Sequence, residues 1–157
     1  MKIRLIYQGK SGKNHFDKAE DMYLSRIKKY ISFDIQQLQP LKLSNALSVE
    51  EIRKKEEEYF LKKLPTDSLI ILLDEKGKSY NSSSFSKFLD KMTSFQSKKI
   101  IFVIGGAFGF SNSMKQRADH IVRLSDMTMA HHLARIVFLE QLYRAFTIIK
   151  GEPYHNA

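Results

Sequence analysis

The chain switches repeatedly between the two-residue hydrophobic period of a strand and the 3.6-residue period of a helix. KIRLIYQG (2–9) alternates apolar and polar side chains and stops at Gly9, as a strand does. In HFDKAEDMYLSRIKKY (15–30), Phe16, Ala19, Tyr23, Ile27 and Tyr30 share one helical face, with Lys and Arg opposite. FDIQQLQP (33–40) is a weaker strand ended by Pro40. Ser48 and Glu51 have the spacing of a capping box, and the charged EEIRKKEEEYFLKKL (50–64) behind them predicts a solvated helix with an apolar edge. No function is assigned to that helix.

The second half repeats the alternation with more apolar strands. SLIILLD (68–74) and KKIIFVIGG (98–106) are continuous apolar runs, the pattern of strands covered on both faces. Between them SSSFSKFLDKM (82–92) predicts a helix, and SNSMKQRA (111–118) a short one. HIVRLS (120–125) is a fifth strand leading through DMTMAHH into a long helix over 131–150. This order predicts one α/β domain over 1–157, a mostly parallel sheet with helices on both faces.

Parallel sheets hold ligands beyond the carboxyl ends of their strands. LDEKGKS (73–79), GGAFGFS (105–111) and LSDMTMAHH (124–132) all take that position and are expected to share one pocket. Gly105, Gly106 and Gly109 favour a ligand contact over a bare turn, because backbone without side chains lets a ligand reach its N–H groups. The phosphate-loop reading of GKS at 9–11 fails, since the required glycine would fall at Arg4. A dinucleotide fingerprint also fails, with Ala107 and Phe110 where glycines are needed.

Composition narrows the chemistry. There is no cysteine, which removes disulfides, thiolate zinc sites and cysteine nucleophiles. The adjacent His131 and His132 lack the i+4 partner of a helix-face metal pair and read as a loop-to-helix junction; no metal is expected. No Gly-x-Ser-x-Gly elbow appears. A net charge of +9 points to a polyanionic partner. No segment approaches the ~18 apolar residues of a membrane span, and a cytoplasmic protein is expected.

The last helix carries apolar residues around most of its circumference, leaving Glu140, Arg144 and Thr147 as a narrow polar stripe. Such a helix is buried on more than one face, and the second face is expected to meet another subunit. Glu140 and Arg144 read either as a simple i,i+4 ion pair or as functional groups. The tail GEPYHNA brings Tyr154, which can stack on a base, and His155, a titratable donor.

FVIGGAFGFS, LSDMTMAHHLARIVFLEQLYRAF and the ending GEPYH together resemble the large-subunit ribosomal RNA methyltransferase H family of the SPOUT superfamily. The resemblance covers essentially the whole chain; in the N-terminal half it is one of pattern only. It implies a homodimeric, S-adenosylmethionine-dependent enzyme with a C-terminal trefoil knot that methylates N3 of a pseudouridine in 23S rRNA of the assembled ribosome. It implies cofactor contacts at Leu73, at Gly105 with Gly106 and Gly109 beside it, and along Leu124, Ser125, Asp126, Met127, Thr128 and Met129. Arg144, Tyr154 and His155 would face the RNA, with Arg144 stabilising the developing anion and Glu140, His155 or water taking the proton. The competing reading is a basic ribosome-binding protein of the same fold without catalysis, against which the intact glycines and LSDMTM run argue.

Overall fold

Strands and helices alternate through the described residues, which are 2–10, 14–95 and 97–156 of the computed structural model. Lys2–Gln8 (β1) is followed by Asp17–Ile27 (α1), Ser32–Leu38 (β2) and Val49–Lys63 (α2). Then come Ser68–Ser79 (β3), Ser82–Phe95 (α3), Lys99–Ile104 (β4), Asn112–Arg117 (α4), His120–Arg123 (β5) and His131–Ile149 (α5). The sheet order is β2-β1-β4-β3-β5 and every pairing is parallel.

The pleat sorts the apolar runs into two cores. Ile3, Leu5, Leu69, Ile71, Ile100 and Phe102 face α1, α3 and α5, meeting Ile27, Phe85, Leu89, Phe138, Leu142 and Phe146. Ile6, Leu72, Ile101 and Val103 face the other way onto Phe60 of α2 and Met114 of α4. Helices on both faces explain why β3 and β4 contain no polar alternation.

α2 begins as its sequence implies: Ser48 accepts from the Glu51 amide at 3.2 Å, and Glu51 accepts from the Ser48 amide at 2.7 Å. α1 departs from expectation at its start, because Phe16 lies just outside it and is exposed. Thr147 also departs from the expected polar stripe. It is fully buried, and its hydroxyl donates to the Arg144 carbonyl at 2.7 Å, so the helix itself satisfies it.

The largest difference is at β3. The apolar run ends the expected strand at Asp74, yet the strand continues to Ser79. Val122 of β5 pairs with both Leu73 and Lys78, with the register broken between them. Gly77 permits this: a Cβ there would lie 2.7 Å from the backbone of Ile121 and Val122. Only a residue without a side chain lets the chain pass that close. Residues 73–76 still reach the sheet's rim. No described helix is long and apolar enough to cross a membrane.

Candidate active site

Because β4, β3 and β5 are neighbours, the segments leaving their carboxyl ends share one rim. They enclose a cleft of about 520 Å³, within the roughly 300–1,000 Å³ usual for small-molecule sites. Leu73, Gly105, Gly106 and Gly109 line it, as do Leu124, Ser125, Met127, Thr128 and Met129. Asp126 does not: its side chain is 80% exposed and pairs with Arg123 Nη1 at 2.9 Å. Ser125 Oγ turns the segment by accepting from the Met127 amide at 2.9 Å, and Thr128 Oγ1 reaches Glu75 on the β3 side at 3.4 Å.

The glycines sit where side chains would crowd their neighbours or strain the backbone. A Cβ on Gly105 would touch the Phe110 ring at 3.0 Å. One on Gly106 would meet both Glu56 carboxylate oxygens at 2.6 Å. Gly109 has φ +72, the left-handed region, and its amide donates to the Gly106 carbonyl at 3.1 Å. At the far wall Lys115 pairs with the nearly buried Asp74 at 3.6 Å. His131, on the first turn of α5, faces the same space. Burial, then the charges of His132 and Arg135, hold its imidazole below the ordinary histidine range.

Arg144 belongs to a separate cluster. Its Nε donates to Glu140 Oε1 at 2.9 Å, its Nη1 lies 3.2 Å from His155 Nδ1, and its guanidinium sits 4.7 Å from the Tyr154 ring centre. Tyr154 donates its hydroxyl to Glu140 Oε1 at 3.2 Å. The hydrogen bond to Glu140 raises Arg144 above its ordinary value, so it stays charged. Burial, with Glu140 nearby, raises Tyr154.

The tail reaches this point because α5 stops cleanly. Gly151 has φ +68, its amide donates to the Ile148 carbonyl at 3.0 Å, and the Glu152 amide donates to the Thr147 carbonyl at 2.9 Å. This Schellman turn folds residues 152–155 back along the helix. None of Glu140, Arg144, Tyr154 or His155 lines the cleft. From Ala134, at the cleft, to Arg144 is ten helical positions, about 15 Å at 1.5 Å per residue.

A family described as predicted SPOUT methyltransferase matches residues 1–155. The chain belongs to the SPOUT methyltransferase family. Relatives named ribosomal RNA large subunit methyltransferase H include those of Christiangramia forsetii, 40% identical over 99% of both chains, and Flavobacterium johnsoniae, 41% identical over 99% of both. The Geotalea daltonii protein of the same name is 39% identical, over 99% of this chain and all of that one. A solved structure, a probable methylase family protein of Haemophilus influenzae, shares the fold. It has a TM-score of 0.55 and 15% identity, over 95% of this chain and 66% of that one.

In this SPOUT chain the helix to which no function was assigned, α2, braces the glycine loop. Arg53 donates from Nε to the Phe108 carbonyl at 2.8 Å, and Glu56 lies against Gly106. Glu57 accepts from Ser111 Oγ at 2.6 Å and from Ser113 Oγ. Ser111 in turn caps α4 through the Met114 amide at 3.0 Å. Glu56 Oε2 is buried without a hydrogen-bond partner, and burial pushes its carboxyl upward. The signal was in the spacing: Arg53, Glu56 and Glu57 stand within two turns of the buried Phe60, on the face that meets the sheet. Arg135 carries no signal in the sequence pattern. It is 4% exposed, pairs with Glu20 at 3.2 Å and lies 3.9 Å from the Tyr7 ring centre, tying α5 to α1 and β1. Among the described residues no group of His, Asp and Glu is placed to hold a metal ion.

Proposed function

We propose that this chain is an S-adenosylmethionine-dependent methyltransferase that modifies N3 of a pseudouridine in 23S rRNA of the assembled ribosome, working in the cytoplasm as a homodimer. The observation that carries this reading is the convergence of the β3, β4 and β5 segments on one cleft. The donor set suits the cofactor. Leu73, Leu124 and Met129 offer apolar contact to an adenine. The side-chain-free wall at Gly105 and Gly106 admits backbone contacts to ribose and methionine portions. Bound there, S-adenosylmethionine would supply a methyl group already activated on a sulfonium, so no metal or covalent nucleophile is called for.

The chain's own contribution is positioning and charge. The backbone of 124–129 orients the donor, and the charged Arg144 would meet the anion that develops on the uracil ring. Tyr154 and His155 lie beside it and would engage RNA, and the +9 charge favours the phosphate backbone. Two features support a dimer. Arg144 lies away from the cleft, so a site that needs both would be incomplete within one chain. Leu133 is 43% exposed, and Ile136, Val137, Ile148 and Ile149 are only partly covered.

The test is to incubate ribosomes, or naked 23S rRNA, with the protein and methyl-labelled cofactor, then locate the label by mass spectrometry. One methyl on N3 of a pseudouridine is expected. Ribosome binding without transfer would instead establish the non-catalytic RNA-binding reading.

A further inference from the structure

A ring nitrogen that still carries its proton cannot accept a methyl group and stay neutral unless another group takes that proton. Sequence leaves Glu140, His155 and water as acceptors; the structure argues against both side chains. Glu140 Oε1 accepts from Arg144 Nε at 2.9 Å and from Tyr154 Oη at 3.2 Å, and Oε2 accepts from Gln141 Nε2 at 2.8 Å. Protonating it would break charge-assisted bonds that hold Arg144 in place. His155 is committed as well. Arginine has only donors, so the Nδ1 that faces Arg144 at 3.2 Å is an acceptor and the ring proton sits on Nε2. His155 can therefore donate to RNA but has no free lone pair. The same logic places the proton of His132 on Nε2, since its Nδ1 faces Arg135 Nη2 at 3.1 Å.

His131 is different. It lines the cofactor cleft from the first turn of α5, half-buried, and neither ring nitrogen is hydrogen-bonded to a described residue. Resting on the methyltransferase reading above, we propose that the His131 imidazole is the proton acceptor of the reaction. The pseudouridine N3–H bond breaks as its electron pair forms the bond to the methyl carbon, and the proton passes to a free His131 ring nitrogen. The electrons of the sulfur–methyl bond remain on sulfur, leaving a neutral thioether. The imidazolium then returns its proton to water. A neutral ring at pH 7 is what its surroundings favour: burial first, then His132 and Arg135 on its own helix. Arg135 is itself neutralised by Glu20 of α1, and the cleft's other charged groups are Arg53, Asp74, Glu75, Lys76 and Lys115.

The experiment compares wild type, His131→Ala, His131→Gln and Glu140→Gln in single-turnover methyl transfer to ribosomes, with cofactor affinity measured by calorimetry. Both His131 variants should lose about 10²- to 10⁴-fold in rate, with cofactor affinity within about threefold of wild type. Added imidazole should restore part of the rate to His131→Ala. The wild-type rate should rise with pH through a step below the ordinary histidine range; His131→Ala should lose that step and Glu140→Gln keep it. Independently of activity, ¹⁵N NMR of the imidazoles should show His131 neutral at pH 7 and His155 protonated on Nε2. Rates within about threefold of wild type, or a loss that imidazole does not rescue and that cofactor binding shares, would overturn the proposal. Wild-type protein that binds cofactor but methylates no RNA would overturn the methyltransferase reading instead, leaving the NMR assignments to stand alone.

Discussion

The cleft at the ends of β3, β4 and β5 and the cluster around Arg144 are built in different ways. The cleft combines backbone, glycine and apolar side chains with His131 and a rim of charged groups, and is held from behind by α2. The cluster is Glu140, Arg144, Tyr154 and His155, bound to one another along α5 and the folded-back tail. An activated methyl donor needs shape more than charge, whereas an anion forming on a base needs a fixed cation. On the proposed function, donor binding and the cation that meets the developing anion lie at two places on one chain, which a second copy would bring together.

The hardest test of that division is Arg144→Ala. It should lower single-turnover methyl transfer by about 10²- to 10³-fold, the cost of one preorganised charge partner. Cofactor affinity should stay within about threefold; equal losses in both would merge the two regions. Next is Gly77→Ala, which strikes the fold beneath both. The added Cβ would sit 2.7 Å from Ile121 and Val122 backbone, costing about 3 kcal/mol, seen as a lower urea midpoint with cofactor binding and transfer lost together.

Gly106→Ala is narrower. Its Cβ would meet Glu56 at 2.6 Å, displacing the brace behind the glycine loop. Cofactor affinity should fall about tenfold, while hydrogen exchange of residues 150–155 stays as in wild type. The smallest effect belongs to Gly151→Ala. An alanine at φ +68 costs about 1 kcal/mol. It should speed exchange in the tail and slow transfer a few-fold without touching cofactor affinity. A weaker cofactor complex there would show that the tail reaches the cleft within its own chain.

Much of the fold was legible because its signals are local. Continuous apolar runs at 69–73 and 100–104 require cover on both faces, and Ser48 with Glu51 writes a helix start directly. The cleft was legible for the same reason, since the three segments follow strands whose pairing sets their place. What escaped depends on long-range contact. DEKGKS has no strand pattern, and only the approach of β5 to Gly77 makes it pair. The brace by Arg53, Glu56 and Glu57 reads as a charged surface until α4 and the glycine loop are laid against it. Asp126 shares a run with cleft-lining residues, but the turn at Ser125 sends its side chain to Arg123. His131 and His132 look alike in sequence; Arg135 engages one and leaves the other free.

The most direct measurement mixes two damaged chains. Arg144→Ala keeps a working cleft and Gly106→Val keeps a working cluster, so co-refolded heterodimers contain one complete site if cleft and cluster come from different copies. Methyl transfer by the mixture should then rise well above either homodimer, towards about a quarter of the wild-type rate, as expected when random pairing makes half the dimers mixed and each carries one site of two. A mixture no more active than its parts, beside an active wild-type control refolded the same way, would contradict the shared site.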